Sequence, residues 1–530
     1  MNKFDFRWDF TNYHYYNPFA FFHNRLNFDI VPASVNTFFN PLIDIPLYLM
    51  IKNFNNDLNL IFAVQGIWFG LLLYVFYKFV RLFFDQKSAI DVLKSVLTVV
   101  IAATGQATYF QAGSSTNEIQ MALIAFVALY ILFNMIKNIH LQKGYKFFVA
   151  GSILGCGLGL KSTIIYICIS SGISLILCNK FLAKPVKYVF LFAFGGLFGY
   201  LLVNGWWMYK MWVLYDNPFF PFLNGIFKSP YFDDFNYTDR RFIRDWLQLF
   251  IYPYVWLGGK YRAAEIVFWD FRGSIFYTLA LGFILYMSVK PHRWIALAAK
   301  RFWCFYAVLL FLSYVCWMLI FSIHRYFVVV EMLSALFFVK IAFSYKTGSL
   351  VRLVAYYSLV MIVCGILILN IKESYGWSSL RNEKKFAWVE NIKLPSNSLV
   401  KLYNFPTAGV IVELAKNNND FRALGYKHLN AEYMKGSDFV ERGNFRKIRD
   451  EIEQNHKGEV VVIYRDLSFL SSFYEDFYTA LVGELKGKYC RKLKNNLDTN
   501  LCICVSEEKK NEVLGKGNGD EQGCNIDTML

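Results

Sequence analysis

Eight side chains in this sequence have the type and the setting for acid–base chemistry beside a bound anion: Asp9, Tyr13, His14, Glu118, Lys161, Trp206, Trp207 and Arg325. Asp9 lies in RWDFTNYHYYN, a carboxylate among aromatics. Such a carboxylate either shapes a turn or takes a proton from an attacking hydroxyl. Glu118, in SSTNE, is a second acidic candidate, and its spacing from Ser115 also spells a capping box. Lys161, in GLGLKST, and Arg325, in SIHRYF, each border apolar runs. Charge there is expensive and marks function unless it snorkels to the interface or finds an ionic partner. Glu331, six residues beyond Arg325, is too far along one helix for a same-face pair. The chemical reading of both cations is a phosphate grip, Arg through its fork and Lys as a point charge. Tyr13, His14, Trp206 and Trp207 would shape the site around a ligand, or else belong to an interfacial aromatic belt. Asp44 is a weaker acid–base candidate, in a stretch that could lie flat as a short amphipathic helix.

The elements that must position these residues follow from composition. The 530 residues are 56% hydrophobic and 18% charged, against about 25% charged in an average soluble domain. The deficit is local. Residues 60–371 are dominated by apolar runs, 1–59 are mixed, and 372–530 are ordinary. We therefore expect a first loop with a juxtamembrane helix (1–59), a transmembrane region (60–371) with a loop at 208–272, a soluble α/β domain (372–505) and a disordered tail (506–530). In the soluble domain, SLVKLYN, AGVIVEL, GEVVVIY and LCICV read as strands. The net charge of +16 is spread between apolar runs and carries no nucleic-acid motif, so nucleic acid is not an expected partner. Six of the ten cysteines sit in apolar runs as small hydrophobes, whereas Cys490, Cys502 and Cys504 could bridge if their domain lies outside the cytosol.

Runs long enough to cross a bilayer occur at about 60–82, 92–111, 118–137, 146–160, 162–178, 186–207, 273–290, 302–320, 326–344 and 351–371. The segments following alternate runs carry 17 Lys or Arg against the two acids Asp85 and Asp91, which places them in the cytoplasm. The first loop, Lys161, the loop 208–272, the turn at 321–325 and the domain from 372 then face the other side. No helix precedes the first loop to carry it across, so the expected count is ten helices here and eleven with a first helix upstream.

The order and sidedness of these pieces resemble the GT-C superfamily of polytopic membrane glycosyltransferases. In that superfamily an acidic residue sits in the first outer loop, as Asp9 does in WDFTNYHYYN; a juxtamembrane helix with a Pro-Leu pair follows, as in FNPLIDIPLYLM; and a second acid appears at the next outer turn, where Glu118 stands. GLGLKST, NPFFPFLNGIFKSPYF and SIHRYFVVVEML are similar to stretches of loosely described bacterial glycosyltransferases. The resemblance implies an inverting transferase of the bacterial inner membrane, with its active site and C-terminal domain extracytoplasmic. It implies a polyprenyl-phosphate-linked sugar as donor, a glycan, lipid or protein as acceptor, and membrane lipid around it. Asp9 would be the catalytic base, and Lys161 and Arg325 would bind the donor phosphate. No cofactor is expected: the sequence has no Walker loop, no dinucleotide fingerprint and no motif supporting a divalent cation. The rival readings are a lipid-linked glycan flippase or transporter, without the internal repeat that transporters usually carry, a polysaccharide polymerase or ligase, and a scaffold.

Overall fold

The computed structural model of the protein describes all residues except 1–2, 5–8, 86, 235–245, 256–269, 290–300, 344–349, 370–377, 380–383, 404–406, 419, 427–442, 466–480, 498–499, 515–523 and 525–530. The chain divides into two compact units. One gathers Met1–Phe62, Trp206–Arg241 and Trp377–Leu530; the other holds Ala63–Gly205 and Phe242–Gly376. Most of the expected tail 506–530 falls outside the described residues.

The second unit is helical. Each of the ten apolar runs contains a helix. Four helices among the described residues are long and apolar enough to cross a membrane: Leu58–Phe83, Glu118–Lys137, Pro185–Tyr215 and Phe302–Ile320. Ten were expected; four of the remaining runs form helices shorter than a full crossing, whereas Arg272–Val289 and Leu350–Leu369 have 18 and 20 residues. Ala89–Ala103, Gly144–Leu160, Ile165–Leu177 and Val328–Ala342 have 15, 17, 13 and 15 residues. At about 1.5 Å per residue these reach roughly 20–26 Å, against a hydrocarbon core of about 30 Å. The stretch 146–178, legible as one broken element or two, forms two helices. Lys161 is extended between them and a 3-10 turn follows at Ser162–Ile164. The core is aromatic, with Phe76, Phe79, Phe126 and Phe133 in edge-to-face contact. Large apolar side chains also face outward, among them Val186 at 85% and Leu285 at 67% exposed, as expected of helices that meet lipid.

One helix pair depends on glycine. A Cβ at Gly151 would lie 2.0 Å from the Phe192 carbonyl oxygen, and one at Gly155 2.0 Å from that of Gly196. Gly195 and Gly199 face the Phe148 and Ser152 carbonyls at 2.1 Å. The helices Gly144–Leu160 and Pro185–Tyr215 thus approach backbone to backbone, as small-residue repeats permit within a membrane.

The first unit is built on a five-stranded sheet. Ser398–Tyr403 pairs in parallel with Phe421–Gly425 on one side and Val460–Arg465 on the other. Leu501–Ser506 continues the sheet antiparallel, and Lys488–Lys492 closes it. The expected strand AGVIVEL is instead a buried helix, Gly409–Leu414, and two strands that sequence patterning missed are Phe421–Gly425 and Lys488–Lys492. Alternation could not decide AGVIVEL, because all six residues of that helix are buried. Gly409 also packs on the Thr11 carbonyl, where a Cβ would come within 2.6 Å. Disulfides join Cys490 to Cys504, a register pair across the last two strands, and Cys502 to Cys524.

The opening segment is integral to this unit. Ile30 pairs in parallel with Leu424 at the sheet edge. The Ile30 N–H donates to the Ala423 carbonyl (2.9 Å), and the Gly425 N–H donates to that of Ile30 (2.8 Å). Arg25 holds Asp29 through two bonds of 2.7 and 2.8 Å, and Tyr16 Oη donates to the same carboxylate at 2.8 Å. Tyr15 Oη donates to Glu413 at 2.5 Å. Burial and the facing Glu413 carboxylate push that phenol well above its ordinary pKa.

Candidate functional site

In the helical unit, three candidates distant in sequence meet in one polar network. Lys161 Nζ lies 2.6 Å from Glu118 Oε1, with both side chains nearly covered. Thr163 Oγ1 donates to Glu118 Oε2 at 3.0 Å. Lys161 also donates to the Thr116 carbonyl. Thr116 Oγ1 donates to Gln111 Oε1 (2.8 Å), and Gln111 Nε2 donates to the Arg325 carbonyl (2.6 Å). The Arg325 guanidinium lies over the Tyr326 ring and donates to its hydroxyl at 3.1 Å. A cavity of about 10 Å³ sits beside Glu118, lined also by Thr163, Tyr166 and Tyr326, and is enough for one water.

The structure decides three local alternatives here. The capping box does not form: Asn117 precedes the helix at φ +64° without a side-chain cap, and the Glu118 carboxylate turns to Lys161 and Thr163. Lys161 does not snorkel as a lone charge, since Glu118 compensates it. Nor does Glu331 pair with Arg325. Its carboxylate accepts from the Ala107 N–H (3.3 Å), the Thr108 N–H (2.9 Å) and Thr108 Oγ1 (2.6 Å). The absence of a Cβ at Gly105 leaves room for the Glu331 carboxyl in this position. Sequence reading also missed Asp270 and Arg272, a buried pair that helps order the same turn. Asp270 accepts from the Gln106 N–H, and Arg272 donates to the Thr104 and Leu367 carbonyls. The available signal was an acid and an arginine two residues apart at the mouth of an apolar run.

The sheet-bearing unit holds the other candidates. Asp9 is buried at the start of a π-helical turn, Phe10–His14, and caps none of its N–H groups. His14 Nδ1 lies 2.6 Å from Asp44 Oδ1, and both are buried. Asp44 leads into the helix Ile45–Phe54, which fixes the carboxylate against the imidazole. The Tyr13 ring rests on His14 at 4.2 Å and meets the Phe39 edge. Trp207 is buried and donates to the Phe38 carbonyl at 2.9 Å. Trp206 packs edge-on against Phe21. The acceptor atoms of Asn12 and Asn17, which the sequence did not single out, are buried without a hydrogen-bond partner, as is His14 Nε2.

Among the described residues no group of three His, Cys, Asp or Glu side chains is placed to hold a metal ion. No family model matches the chain, and no curated protein or solved structure matches it either.

Proposed function

We propose that the protein is a polytopic membrane glycosyltransferase of the GT-C kind, moving a sugar from a polyprenyl-phosphate donor to an acceptor hydroxyl on the extracytoplasmic face with inversion. The observation that carries the reading is the composition of the sheet-bearing unit. It gathers the opening segment, the loop after residue 206 and the C-terminal domain, the segments that the basic-loop count assigns to one side. Its two disulfides favour an oxidising compartment. An opening segment buried with its acid–base groups suits a catalytic loop better than a tether.

Each unit contributes chemistry that is tested on its own. In the sheet-bearing unit, Asp9 orients or deprotonates the acceptor hydroxyl as the anomeric centre passes through an oxocarbenium-like state. In the helical unit, Lys161 and Arg325 are the proposed binders of a lipid phosphate, a role judged separately from that of Asp9. Mass profiles of glycolipids and surface glycans from cells with wild type, Asp9→Asn or no protein test the reading. One glycan short of a single sugar in both altered strains is expected. Profiles unchanged by deletion of the protein would overturn it.

A further inference from the structure

The opening segment leaves three buried acceptors without donors: Asn12 Oδ1, His14 Nε2 and Asn17 Oδ1. Their orientations are fixed by the other end of each group. Asn12 Nδ2 donates to the Ala33 carbonyl (3.3 Å), and Asn17 Nδ2 to those of Asn36 (2.8 Å) and Phe39 (3.4 Å). Carbonyls accept only, so each amide must present its nitrogen to them and its oxygen elsewhere. His14 Nδ1 faces the Asp44 carboxylate, a contact that calls for a proton on Nδ1, and in that neutral tautomer Nε2 is an acceptor. Leaving a buried polar atom unpaired costs about 1–3 kcal/mol. Three within six residues, two in the π-helical turn Phe10–His14 and one in the helix Tyr16–Phe22, mark a place that function keeps polar. What such a set lacks is donors, and a polyhydroxyl compound is rich in them.

We propose that this stretch binds the sugar hydroxyls of the acceptor and that His14, oriented by Asp44, takes the proton of the attacking hydroxyl. The inference rests on the transferase reading and refines it, since Asp9 is then left to orient the acceptor. In the step, the acceptor O–H proton passes to His14 Nε2 and the oxygen forms a bond to the anomeric carbon. The bond from that carbon to the lipid phosphate breaks, and its electron pair leaves on the phosphate oxygen. The imidazolium so formed is balanced by the Asp44 carboxylate 2.6 Å away, the same division of labour as in a carboxylate–histidine pair that activates a nucleophile. His14 is the catalytic residue and Asp44 a positioning residue. A buried His–Asp pair that only locks the segment to the juxtamembrane helix would share the geometry but not the kinetics.

The test uses membranes bearing the full chain, with lipid extract of the same cells supplying donor and acceptor and the product read by mass. His14→Gln and His14→Gly should each lower turnover by about 10²-fold or more. Asp44→Asn should lower kcat with little change in KM, since it alters the ring's tautomer and not the acceptor contacts. Added imidazole should restore turnover to His14→Gly, and not to His14→Gly combined with Asp44→Asn. Transfer that continues at the wild-type rate in His14→Gln would overturn the assignment while leaving the transferase reading intact. So would an inactive His14→Gly that retains its thermal midpoint and is not rescued by imidazole. Absence of transfer by wild type would remove both.

Discussion

At the scale of residues, the Lys161–Glu118 pair carries the sharpest energetic consequence. Both charges are nearly covered, so removing one strands the other in a poorly solvated place. Lys161→Met or Glu118→Gln should each lower stability by about 3–5 kcal/mol, and removing both should recover much of the loss. Thermal midpoints in detergent decide this, and single variants as stable as wild type would contradict it. A second prediction concerns acid. Burial pushes the His324 imidazole down to about 3. Above about pH 6.5 the ring is neutral in folded and unfolded chains alike, so it costs nothing. Below that, the unfolded chain binds a proton that the folded chain refuses, and stability falls by about 1.4 kcal/mol per pH unit until the folded value is reached. Lowering the pH from 6.5 to 5 should therefore cost about 2 kcal/mol, and His324→Asn should flatten that part of the profile. Charges at the ends of apolar runs were legible in the sequence. Their partners were not, because Lys161 with Glu118 and Glu331 with the Thr108 turn are contacts across distant segments, which no local spacing encodes.

At the scale of elements, backbone approach governs the helix pair Gly144–Leu160 and Pro185–Tyr215. Gly155→Val or Gly195→Val would drive a side chain into a facing carbonyl and should destabilise the protein by several kcal/mol. Gly66→Ala is the control. Nothing lies within 4 Å of a Cβ there, and helix propensity should raise stability by about 0.5–1 kcal/mol. Equal melting shifts for the two kinds of variant would refute the packing argument. Each apolar run holds a helix, because a continuous apolar run is a local property, but the helix Trp246–Val255 lies in the stretch read as a loop. Where the helices of those runs stop, as at the extended Lys161, was not legible, because caps and breaks are decided by packing. In the sheet domain, LCICV and GEVVVIY were legible as strands. AGVIVEL was not legible as a helix, since full burial erases the alternation that separates the two periods.

At the scale of the whole molecule, the opening segment and the C-terminal domain form one folded unit, although nearly the whole chain separates them in sequence. Cys490→Ser and Cys502→Ser should each lower the melting point of that unit, by about 2–4 kcal/mol of stability lost. Maleimide labelling of unreduced protein should spare Cys490, Cys502, Cys504 and Cys524, and labelling of all four would contradict the two bridges. The central claim is that a lipid phosphate leaves as an acceptor hydroxyl enters. The most direct measurement incubates the purified full chain in vesicles with polyprenyl-phosphate-linked sugar from the native lipid extract, and follows released lipid phosphate together with the anomeric configuration of the product. The account predicts one lipid phosphate released per sugar transferred, an inverted anomer, and loss of both in Asp9→Asn. Lipid-linked sugar that crosses the vesicle membrane without being cleaved would contradict it and make the protein a transporter.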